Sequence, residues 1–143
     1  MLLKSFQLNY VIELWRNKQT MIDRVILKPY DTFELSTFVV HNDTVYIGHF
    51  GGMYNEAGEQ LSTIEEQTLQ TFHNLERALA EINIPLDNLI KVTVILKDIA
   101  DFQGMHTAWQ KVFNSVYPVR TTITSTFVDD HCLIQIEGVA GIR

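Results

Sequence analysis

The apolar residues divide the chain into extended and helical stretches. Thr37 to His41 and Thr44 to Phe50 are rich in β-branched and aromatic residues, and the turn formers Asn42-Asp43 separate them, which predicts a β-hairpin. Gly51-Gly52 and Asn55-Glu56-Ala57-Gly58 then make a loop. From Leu61 to Asn83 the period changes: Ile64, Leu69, Phe72, Leu75, Leu79 and Ile82 recur at helical spacing and define a buried stripe. Ser62 or Thr63 can accept from the free N–H groups at the helix start, with Glu65 or Glu66 three residues later as in a capping box. Pro85 ends the helix.

Ile90 to Lys97 reads as a strand, with Val92, Val94 and Leu96 on one face and Lys91, Thr93, Ile95 and Lys97 on the other. Asp101 is placed to cap a second helix whose apolar stripe is Phe102, Met105, Trp109, Val112 and Phe113. Beyond Pro118, strands at Val119 to Thr126 and Cys132 to Ala140 complete the order β-β-α-β-α-β-β. This is an α+β pattern in which two helices cover only one face of the sheet. The Ile134/Ile136 side of the last strand suits the helices. The opposite side mixes Leu133, Val139 and Ile95 with Thr, Gln, Glu and Arg, too apolar for water and too polar for a dry core. A second subunit is therefore expected to cover it, the alternative being a one-sided solvated sheet.

With 143 residues, 46% of them hydrophobic, the chain is long enough for one domain with a sizeable core. Its formal charge of −6, without a Lys/Arg block, argues against a nucleic-acid partner, which would need a basic stripe. The single cysteine, Cys132, excludes an internal disulfide and suits a reducing compartment. No apolar run approaches the ~18–20 residues of a membrane helix. Residues 1–20 carry Lys4, Gln7, Asn9, Glu13 and Arg16, so they lack the continuous apolar core of a signal peptide, and a cytoplasmic location is expected. A second methionine, Met21, stands where a strand-like pattern begins. Residues 1–20 are accordingly read as an extension, either an amphipathic arm or an upstream start, and 21–143 as the domain.

The stretch from Lys91 through Val-Thr-Val-Ile-Leu-Lys to Asp98, then Asp101-Phe102 and a helix ending in Trp109-Gln-Lys-Val-Phe113, resembles the YjgF/RidA family. So do Pro118-Val-Arg120-Thr-Thr122 and the closing run from Ile134 to Ala140, and the likeness extends from about residue 35 to the C-terminus. The resemblance implies a chorismate-mutase-like fold, a mixed sheet and a homotrimer whose sheets form a central barrel with clefts at the subunit boundaries. It also implies hydrolysis of enamine or imine intermediates such as 2-aminoacrylate to a 2-keto acid and ammonia, without metal or organic cofactor. Non-catalytic binding of a small carboxylate metabolite in the same cleft is the alternative. A ribonuclease or translation-inhibitor role, a label some relatives carry, fits poorly with the acidic charge.

By that resemblance Arg120 is the arginine that grips the substrate carboxylate, a role that a guanidinium fork fills well. Its expected setting is the uncovered sheet face, and an ion pair with Glu137 is the competing structural role. The short loop Phe127 to His131 makes the last two strands antiparallel. Thr122, two residues on, is placed to hydrogen-bond a ligand. Gln135 stands where active family members carry a water-activating glutamate; an amide orients water but cannot act as a base, so reduced or altered activity is implied. Glu137 lies ~7 Å further along the strand and substitutes only if a bulge shifts the register.

The family's aromatic residue before the hairpin falls near Leu35, with Phe33 or Tyr30 as replacements. Gly48 or His49 holds the position where a backbone N–H meets the ligand carboxylate. His49 itself and His41 read mainly as packed or surface histidines, His41 exposed at the hairpin turn. Asp129-Asp130-His131 reads as a solvated loop rather than a metal site, Cys132 as a small buried residue, and Trp109 and Phe113 as core.

Overall fold

The computed structural model describes residues 21–143, and the expected extension over 1–20 lies outside the described residues. Six strands form one sheet: β1 (Ile22–Val25), β2 (Phe38–His41), β3 (Thr44–Phe50), β4 (Leu89–Leu96), β5 (Val119–Thr124) and β6 (Ile134–Gly141). Two helices, α1 (Ile64–Ala80) and α2 (Phe102–Val112), pack on one face, giving the chorismate-mutase-like α+β fold. The strand-like segment after Met21 is a strand of its own, so the order gains one strand at the front. It pairs antiparallel with β2, Ile22 opposite His41 and Val25 opposite Phe38.

Across the sheet the order is β1-β2-β3-β6-β4-β5, antiparallel except for the parallel pair β4–β5. That pair is parallel because α2 carries the chain from the end of one strand back to the start of the other. β5 and β6 run in opposite directions, as their short connection requires, yet they are not neighbours. The connection rounds the end of β4, where Ser125 N–H donates to Leu96 O (3.0 Å) and Lys97 N–H to Leu133 O (2.9 Å). β6 thereby fills the slot between β3 and β4, and β5 becomes an edge.

Helix α1 starts at the capping box predicted, resolved to Thr63 and Glu66: Glu66 N–H donates to the Thr63 hydroxyl, and Thr63 N–H to the Glu66 carboxylate. These bonds hold the Glu66 carboxyl below its ordinary range. The helix ends at Ala80 rather than Asn83 because Asn83 turns left-handed (φ 57°), while Ile84 N–H closes onto Leu79 O (3.0 Å). Leu69, expected in the stripe, is exposed, and Gln67, Thr68 and Thr71 are buried instead. Thr68 and Thr71 donate to the carbonyls of Ile64 and Gln67, one turn back. Gln67 uses its whole amide: Nε2 donates to Leu61 O and His131 O, and Oε1 accepts from Leu133 N–H. A buried amide satisfied in this way ties α1 to the start of β6.

The core lies between the sheet and the helices. Phe72 of α1 meets Trp109 and Phe113 edge-on, with ring centroids 5.5 and 5.2 Å apart. Gly52 is required where the loop after β3 crosses α1, since a Cβ there would lie 2.5 Å from Thr71 N and 2.6 Å from Gln67 O.

Candidate functional site

Arg120 and Gln135 occupy different surfaces. In the β4–β5 register Arg120 stands beside Val92, a residue buried beneath the helices, so its side chain emerges on the helix-covered side and not on the open face expected. Gln135 and Glu137 face Ile95 and Thr93 across β6–β4, on the open side. Arg120 and Glu137 therefore cannot pair, and no carboxylate among the described residues lies within 4.0 Å of the Arg120 guanidinium.

The guanidinium lies over the ring of Trp109 (4.7 Å to the centroid) and near that of Phe102 (5.6 Å). Its Nη1–H donates to His106 Nδ1 at 3.4 Å, and His106 stacks on Phe102 with planes only 9° apart. Phe102, His106, Trp109 and Phe113 follow at helical spacing, so one face of α2 and the residue after it supply this platform. Partial burial draws the Arg120 pKa below its usual value, though a guanidinium this accessible stays charged. The cleft measures about 610 Å³ and is completed by Tyr117 and Pro118. Thr122 follows Arg120 on the same side, half-buried beside Val94.

A second cavity, of about 820 Å³, lies at the far end of β3. Here β3 carries one extra residue relative to β6: Ile47 faces Gly138, but Phe50 faces Ile136. The extra residue falls at Gly48-His49, leaving both exposed. Gly48 N–H reaches Thr37 O at 3.4 Å, a long bond that leaves it weakly held. Tyr30, in the turn Tyr30–Phe33, donates its hydroxyl to His49 O (2.8 Å) and packs its ring against Phe50. Burial pushes the Tyr30 phenol up to about 12. Gln135 and Cys132 line the same cavity, Phe33 stands on its rim, and Leu35 is exposed outside it. Because the bulge belongs to β3, β6 stays in phase from 134 to 138, and Glu137 is not carried to the place of Gln135.

The cavity thus gathers Gln135, His49 and Tyr30, while Arg120 and Thr122 stand apart from it, on the β5 edge with His106. Neither His106 nor the ring support of Trp109 emerged from the sequence reading. A polar residue inside the Phe102–Trp109–Phe113 stripe was the available signal. His41 is half-buried with an unpartnered Nδ1, in contrast to the exposed position expected. Asp129 and His131 hydrogen-bond each other in an exposed turn (2.8 Å from His131 N–H, 3.2 Å from its ring). Cys132 is buried, and loss of water raises its thiol pKa.

The sequence pattern of the family described as Endoribonuclease L-PSP matches residues 26–142. The chain belongs to this family, known also as YjgF/RidA. A RutC family protein of Pyrococcus abyssi is 33% identical over 86 residues, covering 59% of this chain and 68% of that one. The human 2-iminobutanoate/2-iminopropanoate deaminase is 29% identical over 106 residues, 73% of this chain and 77% of the human one. Across four relatives the aligned stretch spans 61–81% of the relative's own length. Among solved structures, a YjgF family protein of Neisseria meningitidis superposes with a TM-score of 0.74 at 20% identity, over 87% of this chain and 98% of that one. No helix among the described residues is long and apolar enough to cross a membrane.

Proposed function

We propose that this YjgF/RidA protein hydrolyses reactive imines and enamines of small amino acids, of the 2-aminoacrylate type, to a 2-keto acid and ammonia. The observation that carries this reading is the Arg120 guanidinium: half-buried, fixed over an aromatic platform, and without a carboxylate partner among the described residues. A cation held in that way is prepared for an anion from outside, and its fork selects a planar carboxylate. The kinship with the human deaminase, whose name specifies 2-imino acids, points to the same class of ligand.

Arg120 and Gln135 are two strands and three residues apart and on opposite faces, so within one chain they are separated by roughly 10 Å in each direction. One small molecule cannot touch both. The reading therefore includes a homotrimer in which the β5 edge of one subunit closes over the β3-end cavity of the next. Exposed Tyr117, Val119 and Ile123 at that edge, and Tyr46 on the open face, are the apolar surface such contacts would bury. In the composite cleft Arg120 orients the carboxylate, Thr122 and the N–H of Gly48 or His49 add hydrogen bonds, and Gln135 positions the water. Glu137 is too far along β6 to replace it. Imines hydrolyse spontaneously, so orientation and electrostatics supply useful acceleration without a strong base.

The amide at position 135 is also what favours the second reading, a cleft that binds small 2-keto or imino acids without turning them over. One experiment separates the two. With 2-aminoacrylate generated by a dehydratase, keto-acid release should exceed the no-protein rate, fall to it for Arg120→Ala, and rise for Gln135→Glu. Wild-type release at the no-protein rate, with 2-keto acids still bound, establishes the binding reading. A monomeric mass in solution removes the composite cleft.

A further inference from the structure

Hydrolysis of an imine moves protons, and Gln135 cannot carry one. A proton must reach the nitrogen and another must leave the attacking water. Apart from Arg120, the described lining of the Arg120 cleft contains two titratable side chains, His106 and Tyr117, and no carboxylate. Tyr117 is 65% exposed, and its hydroxyl donates to Asn114 O (3.2 Å). His106 is half-buried, stacked on Phe102 with centroids 6.0 Å apart, and accepts from Arg120 at Nδ1. Its Nε2 has no hydrogen-bond partner among the described residues and is not a buried orphan.

We propose that His106 is a catalytic residue of the deamination, the proton carrier between water and the imine nitrogen of a substrate held by Arg120. This rests on the deaminase reading and goes beyond it, because that reading assigns no group to proton transfer. The first reason is reach. In a 2-imino acid the carboxylate and the imine carbon are bonded neighbours, so the nitrogen lies roughly 3 Å from the nearer carboxylate oxygen. A side chain touching Arg120 therefore stands beside that nitrogen. The second is rigidity: the Phe102 stack and the α2 backbone fix the ring, as a proton-transfer partner requires.

The steps balance. 2-Aminoacrylate enters as its imine tautomer, a proton having moved from nitrogen to the methylene carbon, and the imidazolium, which no longer accepts from Arg120, protonates the imine nitrogen. Water adds to the carbon and yields its proton to the now neutral ring, giving a carbinolamine. The ring returns that proton to the amine nitrogen, the C–N bond breaks with its electron pair leaving on ammonia, and the hydroxyl proton goes back to the ring as the C=O forms. One water is consumed, one keto acid and one ammonia are released, and the imidazolium is restored.

The test compares wild type, His106→Asn and His106→Gly in the 2-aminoacrylate assay, with affinity for pyruvate, a small 2-keto acid, measured in parallel. Asparagine can still accept from Arg120 but carries no proton. For His106→Asn we expect kcat to fall about 100-fold with KM and pyruvate affinity within about twofold, and the alkaline limb of the kcat profile to disappear. Added imidazole should restore turnover in His106→Gly. Wild-type kcat and an unchanged pH profile in His106→Asn would overturn the inference, as would failure of imidazole to rescue a glycine variant that still binds pyruvate. If the glycine variant has lost pyruvate binding, the asparagine variant decides alone. Wild-type release at the no-protein rate overturns the deaminase reading itself, and the inference with it.

Discussion

The two cavities of this chain are built on different physical plans. The Arg120 cleft is a platform of side chains: one cation, two aromatic faces and one imidazole, on an edge strand and the helix that leads into it. The cavity at the end of β3 is defined by backbone. A bulge presents Gly48 and His49, the Tyr30 hydroxyl anchors a carbonyl, Asn74 Nδ2 donates to Gly51 O (2.8 Å), and Gln67 secures the start of β6. The first supplies charge and direction. The second supplies a recess of mixed character, with apolar walls and the charged side chains Lys28, Arg77 and Glu81 in its lining. Their separation, one on the β5 edge and the other at the end of the interior strand β3, means that each can be damaged without the other.

The largest separable effect is expected in the backbone-built half. Gln67→Leu leaves two carbonyls and one N–H without partners in a buried place, and should lower unfolding stability by about 2–4 kcal/mol. Chemical denaturation measures it; a loss under 1 kcal/mol would mean that water replaces the amide. Next comes the charged half. Arg120→Lys retains the cation but loses the fork and the flat contact with Trp109, so kcat/KM should drop by about 10–100-fold with stability nearly unchanged. An equal loss of both would place Arg120 with the structural residues.

The smallest effect falls on Tyr30. Tyr30→Phe removes one hydrogen bond and should cost about 1 kcal/mol. In the wild type the folded phenol holds its proton to about 12 against an unfolded value of about 10, so Tyr30's contribution is complete below pH 10 and fades as pH rises toward 12. A phenolate titration following Tyr30, absent from the phenylalanine variant, checks the sign.

Much of the fold is legible in the chain because local periodicity encodes it. The Asn42-Asp43 hairpin, the Thr63–Glu66 cap, the Val92-Val94-Leu96 face and the Trp109–Phe113 core pair all follow from spacing and turn chemistry. After Met21 the chain shows a strand-like pattern, but the four residues of β1 are too few for alternation to count them as an element. Gln67, Thr68 and Thr71 look like a solvated helix face, since only a distant loop, His131 to Leu133, reveals what Gln67 satisfies. Strand order has no local signature either. A short connection from β5 to β6 suggests a hairpin, and only the bonds around the end of β4 exclude it. The side on which Arg120 emerges inherits that uncertainty, because a residue's face is set by its neighbour across the ladder. The arginine was identifiable from its motif; its surroundings were not.

The indole beneath the guanidinium has a practical consequence. Trp109 is the only tryptophan among the described residues, Trp15 being the other in the chain, and Arg120 sits 4.7 Å above its ring. An anion drawn onto that arginine changes the electric field over the chromophore. The protein thus carries its own optical gauge of occupancy, readable by emission in a Trp15→Phe background without a label or a turnover event.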